Sequence, residues 1–163
     1  MGRVFSEFHV GQRFITPGRT ITEGDIATFA GLTGDYNPVH TDESFAAATS
    51  FGGRIAHGPM GIGMAFGLAS RLDLIDGTVV ALLGVNWDFL APVHIGDTIR
   101  VLIEVTGKRN VKDAERGIIE MSLMIMNQND VTAQKGSARL LMRRSQLKGK
   151  SWGMIEPRIE AAQ

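Results

Sequence analysis

From Gly58 to Ala69 the sequence carries no charged residue, and Met60, Ile62, Met64, Ala65, Phe66, Leu68 and Ala69 fall on every side of a helical projection. A helix of that kind offers no face to water, so it belongs inside the fold. Pro59 suits a first helical turn, where the missing N–H would have had no intrahelical partner. Gly61, Gly63 and Gly67 interrupt the run, each lowering helix propensity by up to about 1 kcal/mol. Tertiary packing must therefore hold this helix, and glycine lets a sheet approach its backbone closely. The stretch is too short and too rich in glycine to span a bilayer. Asp73 to Gly77 should end it.

Beyond the helix the hydrophobic pattern changes to period two. Val79, Ala81, Leu83, Val85, Trp87 and Phe89 are all apolar, with Asn86 and Asp88 between them, which predicts a strand over 79–90 with its odd positions inward. Pro92 to Asp97 is a turn. Ile99, Val101, Ile103 and Val105 then alternate with polar residues as in a half-exposed strand. Lys112 to Arg116 is a polar hairpin tip. Residues 118–126 are apolar on both faces, as expected of a central strand, and 131–144 form the last one. Several of these strands exceed the usual five or six residues. Long antiparallel strands following one buried helix predict an α+β layer arrangement, a curved sheet wrapped round that helix.

The N-terminal third carries the chemistry. A strand is expected over 13–21. Thr22, followed by Glu23 and Asp25, reads as the N-cap of a short helix to about Leu32. Thr41 or Asp42 can cap a second one through Phe45 and Ala48. Between them lies Gly34-Asp35-Tyr36-Asn37-Pro38-Val39-His40, with a carboxylate, a carboxamide and an imidazole within six positions. Glycine and proline mark this as loop, the kind of segment on which functional groups concentrate. Read alone, Asp35 and Asn37 could equally be turn residues bonding their own backbone.

Composition removes several classes. At 163 residues the chain fits one domain, able to bury about 70% of its unfolded surface. Seventeen basic and seventeen acidic residues cancel, so nothing in the balance points to nucleic acid or an anionic membrane. Without cysteine, disulfides, thiolate catalysis and most structural zinc schemes are absent. The N-terminus has no apolar run of signal-peptide length. A soluble, cytoplasmic protein is expected, with a domain over 1–144 and a tail over 145–163 packing on a partner subunit.

The loop, together with Ile55-Ala56-His57-Gly58, Phe89-Leu90-Ala91-Pro92-Val93 and Gly96-Asp97-Thr98, resembles the MaoC-like, (R)-specific enoyl-CoA hydratase family. The resemblance covers roughly residues 5–144. It implies the hot-dog fold, in agreement with the order of elements already derived. It further implies that Asp35 and His40 hold the reacting water, that Asn37 orients the pair, and that the Gly58 amide binds the thioester carbonyl. Adding water to a conjugated enoyl thioester needs a base, an acid and an oxyanion donor. Histidine and a carboxyl group suit the first two, and a helix N-terminus suits the third. No cofactor is implied beyond coenzyme A as thioester carrier. A small polar residue is frequent in the family where Phe66 stands here.

Two rival functions are a thioesterase on the same fold and a non-catalytic acyl-binding module. His57 reads as structural, bonding the loop or packing on the helix, and His9 and His94 as isolated and exposed. A metal site from Asp35, His40 and His57 fits no recognised ligand spacing. One broad sheet face, with Met124 and Met126, would be apolar and exposed, which predicts a homodimer or a higher assembly of dimers.

Overall fold

The computed structural model describes residues 2–146, so the tail expected on a partner lies, beyond Gln146, outside the described residues. The elements run β1 (Arg13–Ile15), β2 (Arg19–Thr20), α1 (Glu23–Thr33), α2 (Pro38–Thr41), α3 (Glu43–Ala47), α4 (Gly58–Ser70), β3 (Val79–Phe89), β4 (Thr98–Asn110), β5 (Arg116–Met126) and β6 (Thr132–Arg143). The sheet is antiparallel in the order β1-β4-β5-β6-β3, with β2 also pairing β4. Alternate residues of its central strands, Val101, Ile103 and Val105 of β4 and Met121, Leu123 and Ile125 of β5, are buried. They meet Met60, Ala65, Leu68 and Ala69 of α4 in one core. This is the expected α+β hot-dog arrangement, with β5 central.

Three local expectations need correction. The strand predicted over 13–21 is broken into β1 and β2, with Pro17-Gly18 between them. Helix α4 is not buried all round, because Pro59, Gly63 and Gly67 form an exposed stripe at spacing four. The odd positions of β3 do not all point inward. Register shifts between Val79 and Ala81 and between Leu82 and Gly84 displace the alternation, and β3 is an edge strand. Leu82, Leu83, Val85 and Phe89 are consequently exposed, while Met124 and Met126 are half-buried. The apolar patch lies on the sheet's edge rather than on its open face.

Helix α1 begins as the sequence predicted. Thr22 Oγ1 accepts the Asp25 N–H (3.2 Å) and Asp25 Oδ2 accepts the Thr22 N–H (2.9 Å), a reciprocal capping box. It ends at Gly34 with φ 77°, a left-handed turn that aims the chain toward the loop. Burial pushes the Asp25 carboxyl up, but the Thr22 N–H and hydroxyl and the Arg19 guanidinium outweigh burial and hold it below the usual carboxylate range. With the folded value lowered, this contribution is complete above the unfolded value near 3.8 and is lost as pH falls through the folded one. Asp25→Asn should therefore lower Tm at neutral pH by roughly 2–4 °C, the equivalent of about 1 kcal/mol. The gap from the parent protein should close as acid protonates Asp25, and a gap unchanged across pH titration of Tm would refute the assignment.

Candidate active site

The loop is more ordered than its composition implied. Asn37 Oδ1 accepts the Val39 N–H (3.4 Å) and caps a single helical turn, α2, with Pro38 at its first position. The segment read as irregular thus places His40 on a helix. Asp35 Oδ1 accepts the Asn37 N–H (3.2 Å), closing an Asx turn. Both turn-residue readings hold, and they coexist with a site. Asn37 acts on His40 by capping its helix, and among the described hydrogen bonds its side chain makes none to Asp35 or His40.

The second segment folds back on the first. The Ile55 N–H donates to the Val39 carbonyl (3.3 Å) and the Ala56 N–H to the Val93 carbonyl (2.8 Å). Residues 55–57 are thereby held between the loop and the turn after β3. Arg54 adds a clamp, its guanidinium reaching Glu43 of α3 (3.0 Å) and Glu23 of α1 (2.7 Å).

His40 Nδ1 lies 2.8 Å from the Ile55 carbonyl. A carbonyl can only accept, so Nδ1 carries the hydrogen and neutral His40 presents a bare Nε2. His57, 1% exposed, stacks on His40 with ring centroids 3.8 Å apart and planes 28° apart. Its Nε2 donates to the Asp35 carbonyl (2.9 Å). One ligand atom each from Asp35, His40 and His57 lie within 4.8 Å of one another. The stacking works against a shared metal ion. Imidazole lone pairs lie in the ring plane, and a cation in the plane of one ring, at about 2.0–2.1 Å from its nitrogen, stands out of the plane of the other.

Gly58 is the first residue of α4, so its N–H has no intrahelical acceptor and lies at the positive end of the helix. A cavity of about 330 Å³ opens here, lined by His40, Ile55, Gly58, Phe89, Val93 and Gln134 among others. A side chain on Gly58 would meet the Phe89 ring at 3.0 Å, so glycine lets α4 start close against that ring. His40 and Gly58 thus line one largely apolar recess, and Asp35 stands beside His40 and His57 without being part of that lining. Phe66 packs against the core.

The sequence reading missed Gln134. It is 4% exposed, donates from Nε2 to the Gly58 carbonyl (3.3 Å) and accepts the Trp87 indole N–H (2.9 Å). Its signal was available, because Gln134 lies on the same alternation as the inward Ala138, Leu140 and Met142 of β6. A polar residue at a core position is the informative exception.

The sequence profile of the MaoC like domain matches residues 6–124. The chain belongs to the MaoC-like dehydratase family. Its MaoC-like relatives include protein MaoC of Klebsiella aerogenes, 40% identical over 72% of this chain and 34% of its own length. The 3-hydroxybutyryl-CoA dehydratase of Methylorubrum extorquens is 40% identical over 62% of each chain. The (R)-specific enoyl-CoA hydratase of Aeromonas caviae is 32% identical over 70% of this chain and 81% of its own. The chain spans from a third to under two thirds of the first curated relatives it matches. Among solved structures, a MaoC-like dehydratase from Rhodospirillum rubrum superposes with a TM-score of 0.80 at 26% identity, over 90% of this chain and all of the other. A protein from Mycobacterium tuberculosis described as a double hot-dog fold superposes at 0.79 with 23% identity, over 91% of this chain and 46% of the other, a likeness of fold alone. Among the described residues no helix is long and apolar enough to cross a membrane.

Proposed function

We propose that this MaoC-like chain catalyses the (R)-specific hydration of a trans-2-enoyl thioester, carried on coenzyme A, and the reverse dehydration of the 3-hydroxyacyl thioester. The observation that carries this reading is the bare Nε2 of His40, left by the anchoring of Nδ1 on Ile55, on a residue that lines the same recess as Gly58. In this mechanism water held by Asp35 and His40 loses a proton to the pair as its oxygen bonds C3. The electron pair of the double bond moves toward the thioester, and the Gly58 N–H stabilises the resulting enolate oxygen. The pair returns a proton to C2, so H and OH add without any change of oxidation state. No cofactor beyond the thioester carrier is required, and the cytoplasm is the compartment proposed.

Purified protein should bleach the conjugated-enoyl absorbance of trans-2-butenoyl-CoA without releasing thiol, giving the (R)-3-hydroxy product on chiral analysis. Thiol release would identify a thioesterase. No turnover at any chain length from short to medium would leave the acyl-binding module.

A homodimer, or an assembly of dimers, belongs to the same proposal, with the edge of β3 as the contact. Among the described residues β3 pairs with β6 alone, and Leu82, Leu83, Val85 and Phe89 on it are exposed. An uncovered strand edge of this kind invites pairing with another chain. Light scattering on a sizing column should give twice the chain mass or a multiple of it, and Val85→Lys should shift the protein toward monomer. A parent protein that runs as a stable monomer would refute the contact.

A further inference from the structure

We infer that His57 is a positioning residue that sets the geometry of all three reacting groups, an inference that rests on the hydratase reading above. Four observations converge on this one residue, two on its side chain and two on its backbone. Its Nε2 donates to the main-chain carbonyl of Asp35 (2.9 Å), fixing the turn from which the carboxylate projects. Its ring covers one face of His40 at 3.8 Å, which fixes the plane in which that imidazole presents Nε2. Its carbonyl carbon is joined to the Gly58 nitrogen, so the His57 backbone sets the direction of the proposed oxyanion donor. That same carbonyl accepts the Met60 N–H (3.1 Å), which ties the peptide to the first turn of α4.

The ring is packed for this task and for no direct part in the chemistry. It is 1% exposed, with Phe29 tilted against it at 5.0 Å. The carbonyl partner requires hydrogen on Nε2, and Nδ1 is buried without a hydrogen-bond partner among the described residues. An unsatisfied buried nitrogen is a cost that an ordinary core residue would avoid. Phenylalanine would fill the space without it, so the imidazole is explained by the bond that Nε2 makes. His57 thus differs from His40 in tautomer: one ring keeps its hydrogen on Nε2 for Asp35, the other on Nδ1 for Ile55.

The test compares the parent protein, His57→Phe and His57→Gln in steady-state hydration of trans-2-butenoyl-CoA. Phenylalanine keeps the stacked ring and loses the donor, whereas glutamine places an amide N–H near the position of Nε2. Phenylalanine should lower kcat at least tenfold with KM within threefold of the parent, and glutamine should recover kcat to within threefold. Activity of both variants within threefold of the parent, or equal loss in both, overturns the inference. Parent protein without hydratase activity overturns the functional reading instead. If His57→Phe does not fold by circular dichroism, His57→Gln and the parent decide the matter. Folded His57→Gln with a tenfold loss overturns the inference, and kcat within threefold supports it. In the parent, ring 15N shifts should show His57 protonated at Nε2 and bare at Nδ1. The opposite tautomer overturns the inference whatever the kinetics.

Discussion

His40→Gln and Asp35→Asn should each lower kcat for hydration by about 10²–10⁴-fold, roughly 3–5 kcal/mol of barrier, with the fold intact. Asp35 is exposed and His40 only half-buried, so the packing lost is confined to the stacking of His40 on His57. Asparagine at 35 can still accept the Asn37 N–H, as Asp35 Oδ1 does. His40→Asn separates anchoring from proton transfer, since its amide can still donate to the Ile55 carbonyl in place of Nδ1. It should lose as much activity as glutamine. The double variant should lose little more than either single one, because groups acting as a unit are not additive. Hydration that survives both single changes would remove the pair from the mechanism.

Gly61→Ala should destabilise the protein and impair the site, whereas Gly63→Ala and Gly67→Ala should stabilise it. Propensity alone predicts a gain of up to about 1 kcal/mol at each of the three. At Gly61, a Cβ would lie 2.3 Å from Gln134 Oε1 and 2.6 Å from its Nε2. The Gln134 amide cannot swing aside without breaking its bonds to Gly58 and Trp87. Overpacking costs about 1–3 kcal/mol and each lost hydrogen bond about 1 kcal/mol. Propensity offsets part of this, and a net loss of about 1–3 kcal/mol should lower Tm by roughly 3–10 °C. At Gly63 and Gly67 nothing lies within 4 Å of the added carbon. Calorimetry giving one sign for all three would show that Gln134 does not brace the helix.

The same glycines show how far the sequence can be read. Their number in one helix announced that something approaches its backbone closely, but only the register of β6 decides that Gly61 is the one approached. Period two located β4 and β6, each with a buried face and a wetter one, while β5 was legible from an apolar run on both faces. Period two misled in β3, where two register shifts and an edge position overrode the alternation. In the site, the spacing from Gly34 to His40 was legible because it is local. The helical turn at Pro38–Thr41 was not, since proline there fits a first helical turn as well as a loop. The stacking of His57 on His40 depends on Ile55 bonding to Val39 and Ala56 to Val93. Those pairings join distant parts of the chain, and nothing in the local composition encodes them.

Arg54 holds α1, α3 and the loop before α4 by salt links to Glu23 and Glu43, at the molecule's surface. Residues 35–57 contribute α2, α3 and a single bridge from Ile55 to His94, and none of the strands of the sheet. Exchange of residues within that segment leaves the ladder from β1 to β3 untouched. One end of the recess, near Phe51 and Ile55, belongs to the segment, and the other, near Phe89 and Gln134, to the sheet. Substitution at Phe51 or Ile55 can therefore reshape the recess without touching a strand, whereas substitution at Phe89 or Gln134 alters the recess and the sheet together.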